Sequence, residues 1–201
     1  MEFILASASP RRKELLETLG LNFQIITGEA DEDSVSGEGV PVGIYVQELA
    51  LLKAAATAKY ALKKKKAIII AADTVVILDG RILGKPKDEK EAYFMLKTLS
   101  GREHEVYTGI CIMRVSDGKT YCDSQCTKVV FKELTDETIA AYIATGEPMD
   151  KAGSYGIQGK GSVLVSKLDG DYNNVVGMST SLLCDMLKSQ FDIDILKQKE
   201  K

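Results

Sequence analysis

Ala67-Ile68-Ile69-Ile70-Ala71-Ala72-Asp73-Thr74-Val75-Val76-Ile77-Leu78 is the stretch on which the fold turns. Its apolar residues run on without the polar alternation of a half-exposed strand. That pattern belongs to a strand covered on both faces, near the middle of a sheet with helices packed against it. Asp73 interrupts the run. A carboxylate in such a strand is costly to bury unless it is paired or holds a metal. Asp73 is therefore the first candidate for chemistry, set against the plainer reading of a buried structural aspartate. Asp79-Gly80 then reads as a tight hairpin turn into Arg81-Ile82-Leu83. Gly84-Lys85-Pro86 follows and places a lysine on a constrained backbone.

Immediately upstream, residues 42–63 read as one long helix with an alanine-rich centre, closed by the positive charges of Lys63 to Lys66, which suit a helix C-terminus. Lys53 lies on the stripe of Val46, Leu49, Ala56 and Tyr60. A lysine there either carries its ammonium to the rim or reaches a buried anion. Before this helix comes a glycine-rich loop, 34–40, and before that Gly28-Glu29-Ala30-Asp31-Glu32-Asp33. That acidic run reads as a solvated loop, or as a source of one ligand for a hard cation such as Mg²⁺ or Mn²⁺.

At the N-terminus, Phe3-Ile4-Leu5 is a strand that stops at Ala6-Ser7-Ala8-Ser9-Pro10-Arg11-Arg12-Lys13. Ser9 suits an N-cap, Pro10 the first helical position, and Gly20 the residue just past the helix end. Arg11, Arg12 and Lys13 crowd a first turn where the dipole already disfavours cations, at about 0.3–1 kcal/mol each. Hydroxyls, N–H groups and guanidinium groups at a strand-to-helix turn describe a phosphate site. An exposed basic turn paired with acidic neighbours is the other reading.

Downstream, Asp88 and Glu91 open a helix over 89–99 in the manner of a capping box. Strands at 104–115 and 119–132 are joined by Asp117-Gly118, and Thr135 caps a helix that Gly146 closes. Gly146-Glu147-Pro148-Met149-Asp150-Lys151-Ala152-Gly153-Ser154-Tyr155-Gly156-Ile157-Gln158-Gly159 is rich in glycine and polar groups. Such a stretch lets the backbone approach a ligand closely, and Gln158 offers a donor and an acceptor to a base edge. A strand around 161–167, the turn Asp169-Gly170, the run Asn173-Asn174-Val175-Val176-Gly177 and a helix over 179–190 complete the chain. Residues 197–201 read as a frayed, charged tail.

With 201 residues, 45% hydrophobic and 27% charged, the composition is that of a globular protein of one domain spanning residues 1–201. A net charge of −3 argues against a protein that coats nucleic acid. No apolar run is long enough to span a bilayer, and no signal peptide precedes the first strand, so a cytoplasmic setting is expected. The cysteines show no CxxC pairing and His104 is the only histidine, which argues against structural zinc and against Ser-His or Cys-His catalysis. They are expected to be reduced and core-filling.

Together, Ser7-Ala8-Ser9-Pro10-Arg11-Arg12, Ala72-Asp73-Thr74, Gly84-Lys85-Pro86, Glu147-Pro148-Met149-Asp150-Lys151-Ala152-Gly153 and Tyr155-Gly156-Ile157-Gln158-Gly159 resemble the Maf family of nucleoside triphosphate pyrophosphatases. The resemblance runs in register from Ile4 to about Leu187. It implies an α/β fold of the Maf/ITPase-like type, a long twisted mixed sheet flanked by helices with a cleft between two lobes. It also implies cleavage between the α- and β-phosphates of a nucleoside triphosphate, in a family once named for septum formation and credited with nucleotide house-cleaning. The position matching Asp73 is the base that activates water. The Arg, Thr and Gln matching Arg11, Thr74 and Gln158 resemble the branch acting on dTTP and UTP, which leaves modified pyrimidine nucleotides open as substrates. Where many relatives carry Gly-Leu-Pro, this chain has Gly177-Met178-Ser179.

On these readings Asp73, Lys85 and Lys53 are the catalytic candidates. Ser7, Ser9, Arg11, Arg12, Thr74, Asp150, Lys151 and Gln158 bind or select substrate. Glu32 and Asp73 would hold Mg²⁺ or Mn²⁺, with Glu29 and Asp31 as alternatives to Glu32. The partner is the nucleotide itself, and a homodimer is open. A nucleotide-binding regulator of cell division without turnover, and a nucleotidyltransferase using the same charges, stand as alternatives.

Overall fold

The computed structural model describes residues 2–197. Of the frayed tail expected over 197–201, residues 198–201 lie outside them. Among the described residues the strands are β1 (Glu2–Leu5), β2 (Phe23–Ile25), β3 (Ala67–Leu78), β4 (Arg81–Leu83), β5 (Glu103–Arg114), β6 (Thr120–Phe131) and β7 (Val165–Asp169). The helices are α1 (Pro10–Thr18), α2 (Val42–Ala58), α3 (Glu89–Leu99), α4 (Asp136–Ile143), α5 (Tyr172–Val176) and α6 (Thr180–Phe191), with short 3₁₀ turns between them.

The strands form one sheet in the order β2-β1-β3-β5-β6-β7, with β4 beside β3. The sheet is mixed. β1 runs parallel to β2 and β3, with Leu5 opposite Ile70, whereas β3–β4 and β6–β7 are antiparallel. This is the expected α/β class, and β3 lies inside the sheet as its apolar run required.

Two compact units share the chain. The first comprises residues 2–73, 108–125 and 177–197, the second residues 74–107 and 126–176. In the first, Ala50 and Ala54 of α2 pack with Ile4, Ile69, Ala71 and Cys111 on one face of the sheet. Phe3, Leu5, Ile68, Ile70, Ile110 and Ile112 alternate with those strand residues and are just as buried, so both sheet faces are covered here. In the second, Leu96 and Leu99 of α3 and Ile139 and Tyr142 of α4 pack with Val76, Leu78, Val129 and Phe131. Each large aliphatic side chain buried this way contributes about 1.5–3 kcal/mol before entropy is counted.

The local signals explain most boundaries. Asp88 accepts a hydrogen bond from the Glu91 N–H at 2.7 Å, while the Glu91 carboxylate accepts one from the Lys87 N–H at 2.7 Å. Thr135 caps α4 through the Thr138 N–H. Asp79 and Gly80 both have positive φ, 51° and 75°, as the two-residue hairpin between β3 and β4 demands. Ser179, the departure from Gly-Leu-Pro, accepts from the Leu182 N–H and caps α6.

Three expectations need correction. The helix expected over 42–63 ends at Ala58, and residues 59–66 turn instead. Consecutive lysines repel along a helix, and Ala61, fully buried, anchors the turn that feeds β3. The strand expected around 161–167 begins only at Val165, because Gly159–Leu164 forms a 3₁₀ turn. There Gly161 presses against the Gly156 carbonyl so closely that a β-carbon would overlap it. Finally, of the cysteines, which are all free, only Cys111 is fully buried, while Cys122, Cys126 and Cys184 are half-buried.

Candidate active site

The first unit gathers one set of expected residues. β1 ends at Leu5, and the Ala6 N–H donates to the Ile70 carbonyl at 2.8 Å, so the chain leaves the sheet beside the continuing β3. The Ser7 hydroxyl is buried there and accepts from the Ser9 N–H at 3.2 Å. Ser9 stands at the N-cap of α1 as expected, but its side chain makes no capping bond. The Arg12 guanidinium donates from Nε to the Gly177 carbonyl at 2.9 Å and from a terminal nitrogen to the Ser7 hydroxyl at 3.2 Å. Burial lowers the Arg12 pKa, opposed by the nearby charge of Asp73; Arg11 lowers it further. An arginine stays charged regardless, so α1 holds a desolvated cation facing an aspartate.

The opposing charges come from the acidic loop, α2 and β3. Gly28 lies so close to the Ala56 carbonyl that any β-carbon would collide with it, and its N–H donates to the Thr57 hydroxyl at 3.2 Å. The acidic loop is thereby pinned to α2 one turn from Lys53. The Lys53 ammonium sits 2.5 Å from an oxygen of Asp73 and 3.1 Å from an oxygen of Glu32. Of the two readings of Lys53, the structure realises the reach to a buried anion. Asp73 is 9% exposed and the Lys53 side chain 19%, whereas the Glu32 side chain is 53% exposed. Asp73 is thus paired, not isolated. Two carboxylates on one ammonium stand no farther apart than those N–O distances together allow.

That donor set fits a hard cation. It offers carboxylate oxygens with no imidazole or thiolate, and among the described residues no group of three or more His, Cys, Asp and Glu forms a metal cage. Mg²⁺ is commonly held this way, by one or two carboxylates with the remaining ligands from phosphate and water. Of the acidic-loop candidates Glu29, Asp31 and Glu32, it is Glu32 that reaches the Lys53 ammonium. One residue here was not foreseen. Tyr45, on α2 two turns before Lys53, feels the charges of Asp73, Glu32 and Asp33, and burial together with those charges raises its pKa. Its ring lies against Gly37, where a β-carbon would sit 3.3 Å from it. The spacing from Lys53 was the available signal.

The second unit holds the other set. Thr74 is half-buried and Lys85 exposed. Lys151 donates to the Glu147 carbonyl at 2.5 Å and to Asp150 at 2.7 Å, so its ammonium is held locally. Gln158 has an extended backbone, φ −89° and ψ 170°, and is half-buried. The glycines around it are packed against the protein's own side chains. A β-carbon at Gly153 would meet Val76 at 3.0 Å, one at Gly156 the Lys151 stem at 2.9 Å, and one at Gly159 a Glu147 oxygen at 3.0 Å. Close approach is needed there by the protein's own side chains. Behind them lies a buried aromatic group: the Tyr155 hydroxyl pairs with His104 Nε2 at 2.7 Å, and Tyr155 stacks edge-on to Phe131 with centroids 4.7 Å apart.

The model of the Maf-like protein family matches residues 2–190. The chain belongs to the Maf-like protein family. Relatives in that family include a dTTP/UTP pyrophosphatase of Caldanaerobacter subterraneus, 53% identical over 96% of this chain and 91% of that protein. Proteins of the same name from Bacillus cereus and Clostridium tetani are 51% and 50% identical, over 96% and 94% of this chain and 97% of each relative. Among solved structures, the Staphylococcus aureus Ham1 protein aligns over 98% of this chain and 93% of that one, at 18% identity and a TM-score of 0.49. Among the described residues, no helix of this Maf-like protein is long and apolar enough to cross a membrane.

Proposed function

We propose that this Maf-like protein hydrolyses dTTP and UTP between the α- and β-phosphates, releasing the monophosphate and pyrophosphate. The observation that carries the reading is the Lys53 ammonium held between Asp73 and Glu32, with the desolvated Arg12 facing Asp73. The name shared by relatives about half identical in sequence supports the choice of reaction and substrate.

A triphosphate brings several negative charges, and cleaving it shifts charge onto the departing pyrophosphate. Catalysis of such transfers is mostly positioning and electrostatic stabilisation. Asp73 accepts the proton of the attacking water as the new P–O bond forms at the α-phosphorus. The bond to the bridging oxygen breaks, and its electron pair leaves with pyrophosphate. Lys53 compensates and orients the Asp73 carboxylate through its 2.5 Å contact. Arg12, fixed by Gly177 and Ser7, offers its charge to the phosphates from a geometry that needs no reorganisation.

Asp73 and Glu32 would hold a divalent cation, Mg²⁺ or Mn²⁺, which when bound neutralises phosphate charge and polarises the scissile phosphoryl group. Ser9 and Arg11 are assigned to the phosphate end with Arg12, Arg11 also bearing on base choice; Lys85 is assigned a catalytic charge on the phosphates, and Asp150 and Lys151 are assigned to substrate binding. Thr74 and Gln158 are assigned to the pyrimidine edge, where a site built to satisfy those groups rejects a base that leaves them unpaired.

The test is Asp73→Asn. Turnover of dTTP falls by about 10²–10⁴-fold, the usual range for a lost general base, while the folded protein still binds nucleotide. Mn²⁺ binding, followed by its electron paramagnetic resonance, weakens in Asp73→Asn and in Glu32→Gln. Normal turnover in Asp73→Asn overturns the assignment of the base, and unaltered Mn²⁺ binding in both variants removes these two carboxylates as its ligands.

A further inference from the structure

Segment 155–161 carries Gln158, and side chains hold it at both ends. At its start, the Tyr155 ring packs edge-on against both His104 and Phe131, with centroids 5.3 Å and 4.7 Å away, and its hydroxyl pairs with His104 Nε2. Next, the Gly156 N–H donates to the hydroxyl of Tyr142, on α4, at 3.1 Å. At its end, the Glu147 carboxylate accepts from the Lys160 N–H at 3.1 Å and from the Gly161 N–H at 3.2 Å, one with each oxygen.

Gly159 has φ +61°, and a left-handed residue turns the next N–H groups to one side, forming a concave anion nest. Such nests commonly bind phosphate. Here the protein's own Glu147 fills it. Gly161 completes the fit, since a β-carbon there would lie 2.6 Å from the Tyr142 hydroxyl oxygen. The segment is therefore fixed by groups that belong to no ligand, and Gln158 leaves a backbone already held on either side.

We propose that Glu147, together with Tyr142 and the His104–Tyr155 pair, positions Gln158 and through it sets which nucleobase the protein accepts. This rests on the pyrimidine-edge role given to Gln158 above. Glu147 is a positioning residue: it touches backbone, and its effect reaches the base through Gln158. A loosened segment costs base discrimination, because a donor–acceptor group displaced by even 1 Å no longer meets its partner.

The experiment compares Glu147→Ala, Glu147→Gln, Tyr155→Phe, Gln158→Ala and the double variant Glu147→Ala/Gln158→Ala, each with dTTP and with GTP. Circular dichroism and thermal melting identify the folded variants. In Glu147→Ala the dTTP-over-GTP ratio of kcat/KM falls by about tenfold or more through KM, while kcat at saturating dTTP stays within about threefold. Glu147→Gln, which keeps an acceptor oxygen, falls between, and Tyr155→Phe shifts the ratio the same way. The double variant loses no more discrimination than Gln158→Ala alone, since both changes remove one interaction.

If Gln158→Ala changes the ratio and folded Glu147→Ala or Glu147→Gln does not, the positioning claim is overturned and the function stands. A loss that is equal for dTTP and GTP also overturns it, because that is what a merely structural residue gives. If Gln158→Ala leaves the ratio unchanged, the base-edge role of Gln158 fails and this proposal fails with it. Should Glu147→Ala not fold, Glu147→Gln and Tyr155→Phe decide by the same criteria.

Discussion

Replacing Lys53 with methionine keeps the apolar stem and removes the ammonium that holds Asp73 at 2.5 Å and Glu32 at 3.1 Å. Deleting one partner of a fully buried ion pair costs about 3–5 kcal/mol, because the other charge stays behind uncompensated. Here the Asp73 and Lys53 side chains keep 12% and 19% of their exposure, so water shares part of the load. The contact to Glu32, on a side chain 53% exposed, adds only about 0–1 kcal/mol. The expected cost of Lys53→Met is therefore about 2–3 kcal/mol, a fall in Tm of roughly 4–12 °C for a chain of this length. Urea unfolding at neutral pH, read by circular dichroism, measures it. The decisive comparison is the double variant Lys53→Met/Asp73→Asn. Removing the stranded charge restores about 1–3 kcal/mol relative to Lys53→Met alone, so the two changes are not additive. Simple additivity, or a Lys53→Met protein as stable as the parent, refutes the view that this pair holds the site together.

Further outcomes follow from other parts of the molecule. Burial pushes the His104 imidazole down to about 4 from 6.5. The unfolded chain then binds more protons between those values, so stability rises with pH across that window and is lost as pH falls through it, by about 3 kcal/mol in all. The difference in stability between parent and His104→Gln, taken from pH 7 to pH 4, shows that slope; a constant difference contradicts the burial argument. Gly109 lies so close to the Val46 carbonyl that a β-carbon would overlap it. Gly109→Ala, which forces β5 and α2 apart, lowers unfolding free energy by about 1–3 kcal/mol or more; a neutral result means that the helix shifts without cost. Asp88→Ala removes the cap on the Glu91 N–H, and costs about 1 kcal/mol by thermal melting.

Much of the fold is written in local chemistry that needs no partner. The run from Ala67 to Leu78 announces a covered strand, and Asp79-Gly80, Asp88 and Thr135 specify their turn and caps by side-chain and backbone preference alone. Asp73 is legible because a carboxylate contradicts its surroundings. What escapes is set by contacts distant in sequence. The helix at 42–58 stops where Ala61 must be buried to feed β3. Residues 159–164 curl because Gly161 meets Gly156 and Tyr142. The glycines near Gln158 read as a stretch open to a ligand or as a plain connector, and that Glu147 and Lys151 pack against them is visible only in the folded chain. Tyr45 has no unusual neighbour in sequence; it matters through Asp73 and Glu32.

In the proposed reaction this protein directs water at the α-phosphorus of a pyrimidine nucleoside triphosphate. Hydrolysis of dTTP in heavy-oxygen water, with products resolved by phosphorus NMR and mass spectrometry, tests it most directly. The expected products are dTMP carrying the label and unlabelled pyrophosphate. Label in pyrophosphate, or dTDP and orthophosphate as the products, contradicts it.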